Sequence, residues 1–156
     1  METVTRERRD DLIAGFGREA LRLEQRDVYA AADHGRFRRW LAGELLDPAA
    51  EAEWWRPWRE MRRHKEAGRS LRRLRVVSEP VTEYIRFEWK DADELVRAGE
   101  DVRWLPCQWA SALLFPGNDF WSFDGETVVF TYMSGDGAVR GYELTTVSSA
   151  GSARSR

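Results

Sequence analysis

The stretch Pro116–Tyr132, PGNDFWSFDGETVVFTY, decides the fold. Two apolar, aromatic-rich runs, Phe120–Phe123 and Thr127–Tyr132, flank Asp124-Gly125. That pair is a strong signal for a tight hairpin turn, because Gly125 can take the positive φ such a turn needs and Asp124 tolerates it. The stretch therefore predicts a β-hairpin in or near the core. It contains no nucleophile with a base, no metal cluster and no phosphate loop, so it speaks for a fold before it speaks for an activity.

Upstream, helical and strand-like segments alternate. Residues 6–17 give a short helix with Leu12, Ile13 and Phe16 on one face and Gly17 as a stop. Residues 20–29 open with alternation, Leu21 and Leu23 against Arg22 and Glu24, as a half-buried strand would. Residues 33–46 place Phe37, Trp40, Leu41 and Leu45 at helical spacing, with Asp33 as a cap. Asp47-Pro48 predicts the start of a longer helix reaching about Ala67, in which Trp54, Trp58 and Met61 form one stripe and Pro57 is tolerated near the start or else divides the helix. Residues 71–78 read as a strand with Leu74 and Val76 alternating against Arg73 and Arg75. Ser78-Glu79-Pro80 marks a helix entry, and the helix that follows carries Val81, Tyr84, Ile85 and Glu88 on one face. Residues 101–105 form a short strand ended by Pro106.

Beyond the hairpin, Ser134–Gly137 is a second turn and residues 138–144 alternate as a last strand, whereas the final dozen, TTVSSAGSARSR, lack any period and are expected to be disordered. The expectation is one α/β domain over residues 1–144, with a mixed, largely antiparallel sheet of about five to six strands and flanking helices.

Composition narrows the functional classes. A net charge of -2 in 156 residues argues against a general polyanion binder. The lone Cys107 cannot form an intrachain disulfide, no run is long and apolar enough for a membrane span, and the charged N-terminus does not read as a signal peptide, so a cytoplasmic protein is expected. Residues 56–75 carry eight arginines and Lys65 against Glu60 and Glu66, and residues 76–101 carry eight acids. Neighbouring elements of opposite charge would neutralise each other, and a basic face for nucleic acid is the sharper alternative.

Candidate site residues are few. Trp54, Trp55 and Trp58 could make an aromatic contact surface, with Trp54 and Trp58 facing the core beside Met61 and Trp55 partly exposed. Glu79, Tyr84, Arg86, Glu88, Asp119, Trp121 and Asp124 sit where a helix start and the hairpin could bring them together, and Arg86 paired with one of the acids would lock helix to sheet. His34 and His64 have polar flanks and no zinc-ligand spacing, which places both at the surface. Cys107 reads as a small buried or half-buried residue rather than a nucleophile. No metal, cofactor or catalytic residue is implied.

Three runs carry a resemblance: Arg75–Pro80 through Arg86, Gly99–Pro106, and Pro116–Trp121 through Asp124. With Leu23-Glu24 and Trp54–Trp58, they resemble an uncharacterised actinobacterial domain family over residues 10–144, whose members are commonly encoded beside helix-turn-helix regulators. The order of strand, helix, strand and closing hairpin also resembles half of a phospholipase D-like fold. Catalysis in that fold needs a histidine two residues before a lysine, whereas here Arg36 follows His34 and Glu66 follows His64. Family members continue into another helix where this chain has its polar tail. The resemblance implies a non-enzymatic regulatory or protein-interaction module acting with a helix-turn-helix partner. A degenerate phosphodiesterase using Glu79, Glu88, Asp119 and Asp124, a small-ligand-sensing domain, and direct DNA binding through the arginine-rich segment stand as alternatives.

Overall fold

A computed structural model describes residues 1–30 and 34–147. Its centre is one mixed sheet of seven strands: β1 (Glu2–Val4), β2 (Glu19–Glu24), β3 (Ser70–Val77), β4 (Asp101–Pro106), β5 (Asp119–Phe123), β6 (Thr127–Met133) and β7 (Val139–Thr146). The spatial order is β1-β7-β6-β5-β2-β3-β4. Pairing is parallel for β2–β3 and β3–β4 and antiparallel elsewhere. The sheet thus has one strand more than expected. The extra one, β1, is three residues long and pairs only with β7. Such a segment is too short to show an alternation of its own.

The helices are α1 (Arg6–Gly15), α2 (His34–Leu41), α3 (Ala52–Glu60), α4 (Arg62–Glu66), α5 (Glu83–Arg97) and α6 (Cys107–Ala110). Thr5 caps α1 by accepting from Arg8 N, and Thr82 caps α5 by accepting from Ile85 N. Ser78 is therefore not the cap of α5. Its amide and hydroxyl donate instead to the Asp27 carboxylate, 2.9 and 2.6 Å away. Asp47 does not start a helix either: its side chain accepts from Ala49 N in a turn, and α3 begins at Ala52. Pro57 lies inside α3, which ends at Glu60 before α4 resumes the helical path. The Asp33 cap falls outside the described residues, as does the tail beyond residue 147, and β7 itself extends through Thr146.

One face of the sheet is covered by the helices. There Ala20, Leu71, Trp121, Phe123, Val129 and Tyr142 pack with Phe16 in the main core, and Leu12, Ile13 and Met61 close over them. A second cluster joins Val77 to Tyr84 and Ile85 of α5, with Phe37 of α2 against it. The same face carries Arg73, Arg75 and Glu24, all buried, while Leu74 and Val76 point to the opposite, half-exposed face. The expected alternation of β3 is present, but its sense is reversed. Arginine is on the covered side.

Three further expectations are corrected. His64 is fully buried, its ring stacked 4.2 Å from Phe16 and contacted at Nδ1 by Arg69 Nη1 at 3.1 Å. Guanidinium only donates, so Nδ1 accepts and the neutral ring carries its proton on Nε2, which has no partner. Burial first, then Arg63 and Arg69, lower the His64 pKa. Cys107 is exposed rather than buried. In α2 it is Arg36, not Leu41, that is buried; Leu41 and, beyond the helix, Leu45 lie at the surface.

The hairpin at β5–β6 is built as its sequence predicts. Asp124 and Gly125 have φ of 56° and 73°, and Glu126 N donates to Phe123 O at 3.0 Å. The Asp124 carboxylate reaches away from its own turn and accepts from the backbone amides of Gly17, Arg18 and Glu19 at 2.8, 2.6 and 2.9 Å. Burial opposes ionisation there, but the three amides outweigh it and hold the carboxyl below its ordinary range. The tip thereby clamps the entry to β2. Asp124→Ala should cost about 2–3 kcal/mol by leaving those amides without an acceptor and placing a Cβ residue without a local acceptor at positive φ. Asp124→Asn, which keeps an acceptor oxygen, should cost about half as much; urea denaturation of the three proteins gives the comparison.

Candidate functional site

The described residues enclose a cavity of about 270 Å³ between the sheet and helices α3 and α5. Arg22, Glu24, Arg73, Arg75 and Trp121 form its floor, and Trp54, Trp55 and Trp58 form the wall from α3. Tyr84, Glu88, Asp91 and Leu95 come from α5. Thr131 and Met133 of β6, with Gly137 and Val139 beyond the second turn, complete the rim.

The floor is an ion network set by the parallel register of β2 and β3. Arg22 pairs in register with Arg73 and Glu24 with Arg75, so four charged side chains lie side by side on the covered face. Arg73 binds Glu100 through two contacts of 2.7 and 2.9 Å and Glu24 through two of 3.2 Å. Arg22 Nη2 lies 2.8 Å from Glu24 Oε1, and Arg75 pairs with Glu88 of α5. Arg75 Nε comes within 3.1 Å of Glu24 Oε2 but outside hydrogen-bond geometry. Burial would raise the Glu24 pKa; Arg22, Arg75 and Arg73 together override it and pull the carboxyl far below the usual range. Burial likewise opposes the charge on Arg73, and Glu100 and Glu24 more than restore it.

A second buried pair anchors α2 to α5. Arg36 Nη1 donates to Asp91 Oδ2 at 2.6 Å, and its Nη2 donates to Glu51 Oε2 at 2.8 Å. The guanidinium also lies over the Trp54 and Trp55 rings at 4.9 and 5.2 Å. This stacking explains the correction to α3. Trp55 is the buried residue, at 2% exposure, while Trp54 and Trp58 flank it half-exposed. The helix turns its Trp55 side towards Arg36.

The segment 25–30 crosses one side of the cavity and is fastened at both ends. Gln25 N donates to Asp119 Oδ1 at 2.9 Å and the Tyr29 hydroxyl to Asp119 Oδ2 at 2.6 Å. Burial raises the Asp119 pKa against these two donors, and burial with the nearby Glu24 and Asp119 charges raises that of Tyr29. Ala30 N donates to Gly137 O at 3.3 Å. A Cβ at Gly137 would stand 2.9 Å from Val28 O and 3.0 Å from Tyr29 Cα, so glycine is needed both for its φ of 85° and for this approach.

Of the polar set named from sequence, the structure gathers Tyr84, Glu88 and Trp121 at the cavity. Asp119 sits behind its edge, holding Tyr29. Glu79 is exposed and accepts from Gln108 at 3.1 Å, Arg86 is exposed on Glu83, and Asp124 works at the hairpin tip. Arg86 therefore does not lock α5 to the sheet; Arg75 does, through Glu88. The four acids considered for a hydrolase occupy separate settings. Among the described residues no group of three His, Cys, Asp or Glu side chains could hold a metal ion, and no helix is long and apolar enough to cross a membrane. Sequence reasoning missed Arg73, Arg75, Arg36 and Glu100, because charged residues on strand and helix faces read as solvated.

Residues 7–154 match the family described as Domain of unknown function (DUF6879). The chain belongs to this family. No curated protein matches it. For this DUF6879 member the geometry of the cavity is thus the main guide to function.

Removing one partner from a buried ion network leaves uncompensated charge, so Glu24→Gln should destabilise the fold by about 3–5 kcal/mol. The pH dependence carries the sign. A glutamate whose folded pKa is depressed contributes stability that is complete above the unfolded value of about 4.3 and is lost as pH falls below it. Thermal melts of Glu24→Gln should accordingly show a shallower decline below about pH 4 than the parent protein.

Proposed function

We propose that this domain is a non-enzymatic regulatory module that senses a small ligand in the cavity beneath α3 and α5 and reports its occupancy to a partner protein. One observation carries this reading: a cavity of about 270 Å³ is walled by Trp54, Trp55, Trp58 and Trp121 above an ionic floor in which Arg22 makes one ion-pair contact, through Nη2. A bound molecule with a flat apolar body and an acceptor would engage both the tryptophan walls and Arg22.

The acids in the wall support binding over catalysis. Glu24, Glu88 and Asp91 are each engaged by arginine, and a carboxylate held in such a pair is a poor general base. Trp54 and Trp58 reach both the cavity and the surface, so a ligand that reorders them changes what a partner meets. The resemblance of the sequence to an actinobacterial family encoded beside helix-turn-helix regulators supplies the partner: such a regulator, contacted at the α3 rim. Its likeness to half of a phospholipase D-like fold accords with an effector-sensing role.

A thermal-shift screen of neutral, anionic and cationic compounds tests the reading. A true ligand at about 100 times its Kd should add roughly 2.7 kcal/mol, or about 5–10 °C in Tm. The shift should vanish in Thr131→Trp, where an indole occupies the cavity rim. A screen in which nothing stabilises the protein, or a shift that survives Thr131→Trp, overturns the proposal.

A further inference from the structure

The chemistry of the wall points to a class of ligand, and this inference rests on the ligand-sensing reading above. We infer that the cavity takes a small aryl carboxylate, with its carboxylate on Arg22 and its ring among the tryptophans.

The charge of the ligand follows from which groups are already engaged. Arg73 is saturated by Glu100 and Glu24, and Arg75 gives its terminal nitrogen to Glu88. Arg9 uses one edge on Asp10 and Nη1 on the Tyr142 hydroxyl. Arg22 has one ion-pair contact, through Nη2 to Glu24, and, unlike Arg9, no hydroxyl partner besides; its side chain is 32% exposed. Its Nε and Nη1 donors remain for a ligand, and the guanidinium is held over Trp121 at 5.4 Å from the ring centre. The open donors of Arg22 ask for an acceptor, which favours an anionic over a cationic ligand.

The magnitude of that charge is limited. Arg9, Arg73 and Arg75 are each engaged by an acid, Asp10, Glu100 and Glu88 in turn, which leaves Arg22, sharing Glu24, as the group for one anionic charge. A monoanion meets that one group, whereas a dianion such as a phosphate monoester would bring its second charge next to the three carboxylates of the wall. A carboxylate also matches the planar fork of Arg22.

The body of the ligand follows from the rest of the wall. Trp54, Trp55, Trp58 and Trp121 present flat apolar surface, and Leu95 and Met133 fill between them. Rings stack on such walls in offset or edge-on arrangements. At about 270 Å³ the cavity lies just below the size of drug-binding pockets, which favours a single ring system over a nucleotide.

The test uses the full chain and five probes of one shape: benzoate, phenylacetate, benzamide, benzylamine and phenyl phosphate, followed by tryptophan fluorescence and calorimetry. The carboxylates should bind and quench, with benzamide and phenyl phosphate at least about tenfold weaker and benzylamine showing no binding. Arg22→Met and Arg22→Lys should each weaken carboxylate binding by about tenfold or more, the lysine variant retaining a charge for Glu24 but lacking the fork. Far-ultraviolet circular dichroism and Tm show that both variants fold. Amide, amine or phosphate binding as tightly as the carboxylates overturns the inference, and so does carboxylate affinity unchanged in both Arg22 variants. If none of the five binds while the broader screen yields a ligand lost in Thr131→Trp, the carboxylate assignment fails and the sensing function stands. If both sets fail, both fall.

Discussion

Three guanidinium groups converge on one buried carboxylate, and the arrangement of the whole domain follows from keeping Glu24 in that position. Arg22, Arg73 and Arg75 reach it from the same strand and from its parallel neighbour, and Glu100 and Glu88 balance the surplus from the ends of α5 and the loop after it. Such a network gives little net stability relative to a packed apolar core, since desolvation offsets most of the attraction. What it does give is intolerance of error. A slip of one residue between β2 and β3 would send Arg73 and Arg75 to the opposite face and leave Glu24 with Arg22 alone of its three arginines. Parallel strands joined by long crossovers have no tight turn to set their register, and here charge performs that task.

The same constraint accounts for the helices. Glu88 must face the sheet to meet Arg75, which orients α5; Asp91, one turn on, then faces α2 and receives Arg36. Arg36 in turn draws the Trp54 and Trp55 rings under its guanidinium and so rotates α3. Each element is positioned by a charge on its predecessor. The cavity is the space left where these pairings hold tryptophan walls apart above an ionic floor that cannot collapse without breaking a pair.

At the far end of the sheet the constraint is local. The Asp124 carboxylate takes three backbone amides from the turn before β2, joining residues more than a hundred positions apart in sequence. The segment 25–30 is tied to β5 through Asp119 and to the second turn at Gly137. Both ends of β2 are thus secured by hairpin residues, and the strand that carries Glu24 is held along its length.

Much of this fold was legible in the sequence. Asp124-Gly125 between two aromatic runs specified the hairpin, because only certain residues accept positive φ at consecutive positions. Alternation located β2, β3 and β7, the turn signal located β5 and β6, and Pro106 bounded β4; helical spacing located α1 and α5, with Tyr84 and Ile85 correctly on the buried side of α5. The short β1 carried too few residues for a period, and the division of α3 from α4 followed only in outline from Pro57. What periodicity cannot say is which of two faces the rest of the chain will cover. Arg73 and Arg75 share a face by virtue of the strand repeat, and so do Leu74 and Val76; charge suggested that the arginines look outward. His64 among basic neighbours suggested the same, and Trp55 lost its place to Trp54 and Trp58 by one helical step. Tertiary structure reversed all three assignments: His64 enters as a neutral ring stacked on Phe16, Trp55 turns in beneath Arg36, and the arginines enter with their acids. A buried charge is tolerable only when opposite charges arrive beside it, and Glu24, Glu88, Glu100, Glu51 and Asp91 come together from segments far apart in sequence. Local sequence determined the elements and their two-sidedness. The choice of the inner side, and with it the cavity, depended on partners that only folding brings within reach.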